Sequence, residues 1–141
     1  SYFDQYRGVK EWMDHTVHDA KETGYVTTLL GRRRYVPGLH ERNKTLQEAE
    51  RRVTINTPIQ GTSADLIKMA MLELDTKMRA LHIDARLVLQ IHDELLIAAR
   101  PEQVDQLVPI IRECMSRVVT NWQVPLEVSI RTGKTWGEVS K

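Results

Sequence analysis

Gln90-Ile91-His92-Asp93-Glu94 sets two acids beside a histidine, between the apolar arms Leu87-Val88-Leu89 and Leu95-Leu96-Ile97-Ala98-Ala99. Burying a carboxylate without a partner is costly, so this pattern asks for an exposed hairpin tip. A rigid hairpin is also a good way to hold a carboxylate at a fixed point for a metal. Oxygen donors suit Mg²⁺, which takes one or two protein carboxylates and fills its remaining positions with water and substrate phosphates. The competing reading is a turn that is merely polar. Zinc fits less well, because the five histidines are scattered and lack tight ligand spacing.

A second group is Arg52, Asn56 and Gln60, spaced i, i+4 and i+8, which on a helix project from nearly one face. Their fixed donors and acceptors suit the base edges, sugars and phosphates of nucleic acid. A solvated helix face is the alternative. Such faces favour Glu and Lys, however, and this one runs through Pro58 and Gly61, both poor helix formers. Between Gly31 and Gln60, seven basic residues (Arg32, Arg33, Arg34, Arg42, Lys44, Arg51, Arg52) face three acids (Glu41, Glu48, Glu50), a local surplus of +4. That patch would attract phosphate backbones in a salt-dependent way, although an ordinary surface loop has the same composition. Trp12, Trp122 and Trp136 read as packing residues rather than stacking platforms. Cys114, set among Ile110, Ile111 and Met115, reads as an inert core thiol.

The elements that must position these residues follow from periodicity. Residues 2–22 fit one amphipathic helix stopped near Gly24, as a glycine C-cap requires. Residues 24–37, GYVTTLLGRRRYVP, predict a hairpin about Gly31. GLHERNKT is a polar, turn-rich loop. From Leu46 to Leu81 the pattern is helical, with Leu66, Ala70, Leu74 and Met78 stepping by four. Pro58 inside that stretch must bend or break it. ARLVLQIHDELLIAA predicts two buried strands around the acidic tip. The segment beginning PEQVDQL puts Pro101 at the first turn of a further helix. VPLEVSIRTG alternates as a half-buried strand does. Without regular βαβ units, the fold class expected is α+β with a mainly antiparallel sheet packed with long helices.

The 141 residues are about one domain's worth of chain. Hydrophobic residues at 41% and charged residues at 28% lie in the ordinary globular range, so neither disorder nor a fibrous repeat is indicated. A net charge of +1 excludes a bulk polycation. No apolar run approaches the ~20 residues of a membrane-spanning helix. A single cysteine cannot form an intrachain disulfide, which makes a reducing compartment the default. The chain shows no signal-peptide pattern. It opens already in helical periodicity without an initiator Met, which predicts a cut at Ser1 inside a longer protein. TGKTWGEVSK reads as a natural terminus.

Together these motifs resemble the C-terminal, palm-containing part of the family A DNA polymerases of the bacterial DNA polymerase I group, over essentially the whole chain. RRVTINTPIQGTSADLIKMAM resembles the family's palm-proximal helix, and LVLQIHDELL its catalytic hairpin. GYVTTLLGRRRYVP and VPLEVSIRTGKTW are also similar to the family. The resemblance implies that residues 1–141 are one partial domain and that Asp93 is one of two aspartates holding catalytic Mg²⁺ ions, with Glu94 supporting the same site. The other aspartate would lie outside this chain. It implies further that His92 and Gln90 lie near the primer terminus, and that Arg52, Asn56 and Gln60 contact the minor groove of primer–template DNA. Implied partners are that duplex and deoxynucleoside triphosphates, in a monomeric parent located in the cytoplasm at the nucleoid. No membrane partner is implied.

Nothing here resembles the second aspartate motif or the helix that holds the incoming nucleotide, so the fragment alone is expected to be inactive. The rival reading is a non-catalytic DNA-binding module using the Arg52–Gln60 face. An HD-type metal phosphohydrolase would need further histidine ligands, and His15, His18, His40 and His82 show no suitable arrangement.

Overall fold

The computed structural model describes residues 2–119 and 122–140. The chain divides into two compact units, residues 1–63 and residues 64–141.

In the first unit, the helix expected over 2–22 is interrupted once. α1, Tyr2–Gln5, stops at Tyr6, whose φ of −120° is not helical, and α2 runs over Arg7–Thr23. Gly24 ends α2 at φ 80°, its N–H donating to the Ala20 carbonyl at 2.9 Å. That left-handed backbone is open to glycine and strained for most other residues. The predicted hairpin follows: β1 (Tyr25–Thr27) pairs antiparallel with β2 (Arg33–Tyr35), Val26 opposite Arg34. A 3₁₀ turn over Pro37–His40 buries Leu39 within the stretch expected to be a loop. Asn43 then caps α3, Lys44–Asn56, by accepting from the Thr45 N–H at 2.9 Å. Val17, Ala20, Val26, Val36, Leu39 and Ile55 form this unit's core.

Pro58 breaks the long helix as predicted, and the break takes a specific form. A π-helical turn over Thr57–Gly61 separates α3 from α4, Thr62–Ala80. On α4 the face read from the sequence is the buried one: Leu66, Ala70, Leu74 and Met78 are all buried.

In the second unit, Leu74 and Met78 pack with Ile83, Leu107, Ile111 and Cys114. α4 ends in a turn where the Ile83 N–H reaches the Met78 carbonyl (2.9 Å) and the His82 N–H reaches that of Arg79 (3.1 Å). His82, at φ 53°, takes the left-handed position usually filled by glycine. β3 (Ala85–Ile91) pairs antiparallel with β4 (Glu94–Ala99), with a register shift between Leu87 and Leu89. A 3₁₀ turn at Pro101–Gln103 leads into α5, Val104–Ser116, and α6 is Trp136–Val139.

Three expectations are corrected. The arms of the acidic hairpin are not buried: Ala85, Leu87, Ile97 and Ala99 are half-buried against the core, while Val88 and Leu89 are exposed. The alternating segment 124–133 pairs with no strand among the described residues. Its apolar row of Leu126, Val128 and Ile130 is half-buried nonetheless, Ile130 packs on the core, and Arg112 Nη1 donates to the Val128 carbonyl at 2.8 Å. The antiparallel pairing is thus two separate hairpins rather than one sheet, in a mostly helical α+β chain. Finally, Trp12, Trp122 and Trp136 are exposed rather than packed inside; Trp12 lies off the Met13–Val17–Ala20 stripe that α2 buries.

Cys114 is fully buried, and burial together with the nearby Glu73 carboxylate pushes its thiol above the usual range, so it is unreactive in the folded state. Leu74, equally buried, anchors the second core. Leu74→Ala should lower the unfolding free energy by roughly 2–5 kcal/mol. Leu72→Ala, at a 71% exposed position on the same helix, should change it by less than about 0.5 kcal/mol. Urea melts of the two variants check the contrast.

Candidate functional site

The β3–β4 pairing closes at Ile91 opposite Glu94, which leaves His92 and Asp93 as a two-residue turn. Such turns need positive φ to match the strand twist. His92 provides it at φ 53°, histidine being among the few non-glycine residues enriched in that region. The turn is braced from inside the hairpin, where Gln90 Nε2 donates to the His92 carbonyl at 2.9 Å. His92, Asp93 and Glu94 are all exposed. Among the described residues neither Asp93 nor Glu94 enters an ion pair. Two exposed acids therefore occupy consecutive positions on a braced turn. Carboxylate oxygens are donors of the kind a hard divalent cation takes. Among the described residues no group of three or more His, Cys, Asp or Glu could hold a metal.

The open end of the hairpin is tied as well, by residues the sequence reading missed. Arg100 Nε meets Asp84 Oδ2 at 2.5 Å, the Asp84 N–H donates to Gln103 Oε1 at 2.8 Å, and the Arg100 N–H reaches the Asp84 carbonyl at 3.4 Å. The Arg100 guanidinium holds the Asp84 carboxyl below its usual range. The available signal was an acid just before the first arm and a base just after the second.

Arg52, Asn56 and Gln60 lie in the first unit and are all exposed, while Thr54 and Ile55 of the same stretch are buried. An α-helix advances about 100° per residue, so residues four apart drift by ~40° and two such steps would swing Gln60 ~80° from Arg52. The π turn between Asn56 and Gln60 is wider and advances less per residue, which takes back part of that drift. The break thus keeps the three side chains closer to one line. In the basic patch, Arg51 is paired with Asp14 (3.2 Å) and Glu48 (3.6 Å), and the Arg33 guanidinium sits 4.6 Å over the Tyr25 ring. Gln90, His92, Asp93 and Glu94 are brought together in the second unit, and Arg52, Asn56 and Gln60 in the first.

The sequence signature of DNA polymerase family A matches residues 1–138. The chain is 46% identical over 135 residues to a DNA polymerase I of Geobacillus stearothermophilus, covering 96% of this chain and 15% of that protein. It is 47% identical to the Deinococcus radiodurans DNA polymerase I, covering 96% and 14%. With a thermostable DNA polymerase I of Thermus thermophilus it shares 42% identity over 137 residues, covering 96% and 16%. The chain therefore spans about one-seventh of the length of these relatives. Among solved structures, the POL domain of an M. smegmatis protein in complex with DNA primer-template and dNTP superposes with a TM-score of 0.93 at 38% identity. That match covers 99% of this chain and 24% of the other.

The tie at the hairpin's open end generates a pH prediction. A carboxyl whose folded value is depressed adds stability that is present above its unfolded value, near pH 4. That stability is lost as pH falls through the lower folded value. Urea melts should show wild type more stable than Asp84→Asn at neutral pH, the gap closing as pH drops below about 4. A gap independent of pH would mean that the charge pair contributes nothing.

Proposed function

The chain belongs to DNA polymerase family A, and from that membership we propose that it acts in template-directed DNA synthesis as the C-terminal part of a polymerase palm with its adjoining helices. The observation that carries the proposal is the exposed Asp93–Glu94 carboxylate pair on a turn fixed by pairing and by Gln90. Asp93 would hold divalent metal, with Glu94 beside it, and Mg²⁺ is the ion their hard oxygen donors favour. When bound, a pair of such ions supplies Lewis-acid activation of the primer 3′-hydroxyl and neutralisation of the departing pyrophosphate. A second carboxylate from elsewhere in the parent enzyme would complete that site.

The chain's own residues divide the remaining work. Gln90 keeps the turn still by holding the His92 carbonyl, and the exposed His92 ring is available to the primer end. Arg52, Asn56 and Gln60 would donate to the minor-groove acceptors of the primer–template duplex. Those acceptors are nearly alike in every base pair, so contacts to them test pairing geometry without selecting a sequence. The basic hairpin and loop add salt-dependent attraction for the phosphates. The relatives' names and the duplex and dNTP in the M. smegmatis structure support these partners. We further propose a monomeric parent in the cytoplasm at the nucleoid. Among the described residues no helix is long and apolar enough to cross a membrane.

A second reading, a DNA-binding module without chemistry, is favoured by one observation: no complete metal-ligand group exists among the described residues. Primer extension by the full-length parent separates the two. With Asp93→Asn, extension in Mg²⁺ should fall by about a hundredfold or more, as when a charge-stabilising group is removed from a reaction centre. Duplex affinity should stay close to wild type. Unchanged extension would make Asp93 a turn residue only and favour the binding module. The isolated 141-residue chain should not extend a primer at all.

A further inference from the structure

We propose that the β1–β2 turn is a clamp on the α3–α4 junction, and that Thr62 and Arg32 are positioning residues that aim Gln60. This rests on the reading of Gln60 as a duplex contact. Its origin is Pro58, which has no N–H to give the helix ladder. The backbone around it must find other partners, since buried unpaired peptide groups are costly.

Threonine hydroxyls bond to the backbone on both sides of the break. Thr28, Thr54, Thr57 and Thr62 are the buried polar residues among those described, and all four gather at this junction. Thr54 Oγ1 donates to the Glu50 carbonyl at 2.8 Å and Thr57 Oγ1 to that of Val53 at 2.7 Å. Thr62 Oγ1 donates to the Pro58 carbonyl across the break. Back-bonding of this kind bends helices. The Thr62 hydroxyl also accepts the Leu29 N–H at 2.9 Å. One buried hydroxyl thus links the hairpin turn to the far side of the proline.

A second tie lies beside it: Arg32 Nη2 donates to the Gly61 carbonyl at 3.1 Å. The turn that carries both ties is itself closed. The Thr28 N–H reaches the Arg32 carbonyl at 2.9 Å, and the Arg32 N–H reaches Thr28 Oγ1 at 3.2 Å. The fit is close, because a Cβ on Gly61 would stand 2.7 Å from Thr28 Cγ2. Valine would fill the Thr62 volume without a buried polar group. Hydroxyls at these places therefore fix a geometry rather than add apolar burial. The element they fix is the π turn, and Gln60 is its exposed residue directly before Gly61. Thr62 is only 2% exposed, so any effect it has on the duplex must pass through a neighbour.

The test is a double-variant cycle in the full-length parent, read as equilibrium affinity for a primer–template duplex and as the KM for that duplex against kcat. Thr62→Val should weaken duplex binding roughly five- to tenfold, the scale of one net hydrogen bond, and Thr62→Ser should restore it. Thr62→Val added to Gln60→Ala should cost less than about twofold more, because residues acting through one another do not add. If Thr62→Val is silent, or if its effect multiplies with that of Gln60→Ala, the clamp is overturned while the stripe stands. If Gln60→Ala itself is silent, the duplex-contact reading falls and the clamp falls with it. Should Thr62→Val fail to fold, Arg32→Lys, at an exposed position, replaces it in the cycle, because it keeps the charge of the basic patch while removing the guanidinium that reaches Gly61.

Discussion

A carboxylate that is to hold a metal ion must remain hydrated enough to stay charged and yet be fixed enough to act as a point in space. These demands conflict, because exposed side chains move and burial penalises the ionised form. In the role proposed for Asp93, the β3–β4 hairpin would meet both by placing the acids where only backbone rigidity is needed. Ile91 opposite Glu94 closes the ladder, His92 accepts a left-handed backbone, and Gln90 holds the turn by its carbonyl. At the other end the Asp84–Arg100 pair joins the start of one strand to the end of the other. The core beneath is supplied by Leu74, Met78, Leu107 and Ile111 against the half-buried row of the hairpin.

The first unit answers a different constraint by similar means. Pro58 denies the helix one hydrogen bond, and the chain responds with a π turn rather than a loose kink. Threonine hydroxyls and the β1–β2 turn bond to each other and to the backbone at the break. The cost of burying polar atoms is offset because each is paired, which is the condition under which buried polar groups specify a single arrangement. In both units a local rule is broken: His92 sits at positive φ and Pro58 sits mid-helix. Each break falls beside the residues assigned to function, where such departures tend to concentrate.

Much of this was legible in the sequence because it is local. The break at Pro58, the glycine stop at Gly24, the buried face through Leu74 and the hairpin around His92-Asp93-Glu94 all follow from residues near one another in the chain. What was not legible depends on partners far away. The form of the break required Leu29 to meet Thr62, 33 residues on. The Asp84–Arg100 tie looked like two ordinary surface charges. The alternation in 124–133 marked the half-buried Leu126, Val128 and Ile130 but also the exposed Val124, and a pattern of period two says nothing about whether a strand lies alongside. The tryptophans misled because size argues for burial only where a core has room, and Trp12 falls off the buried stripe of its helix. Gln90 was assigned to the primer end from the resemblance, and its bond to the His92 carbonyl adds a bracing role that the motif alone does not reveal.

The central claim is that Asp93 holds a metal ion, and Mn²⁺ makes that visible without turnover. The full-length parent bound to a primer–template duplex would be titrated with Mn²⁺ by electron paramagnetic resonance, for wild type and for Asp93→Asn at equal duplex occupancy. The account predicts that the Asp93→Asn complex loses or strongly weakens tightly bound Mn²⁺ while duplex occupancy holds. Identical Mn²⁺ stoichiometry and affinity in the two proteins would contradict it.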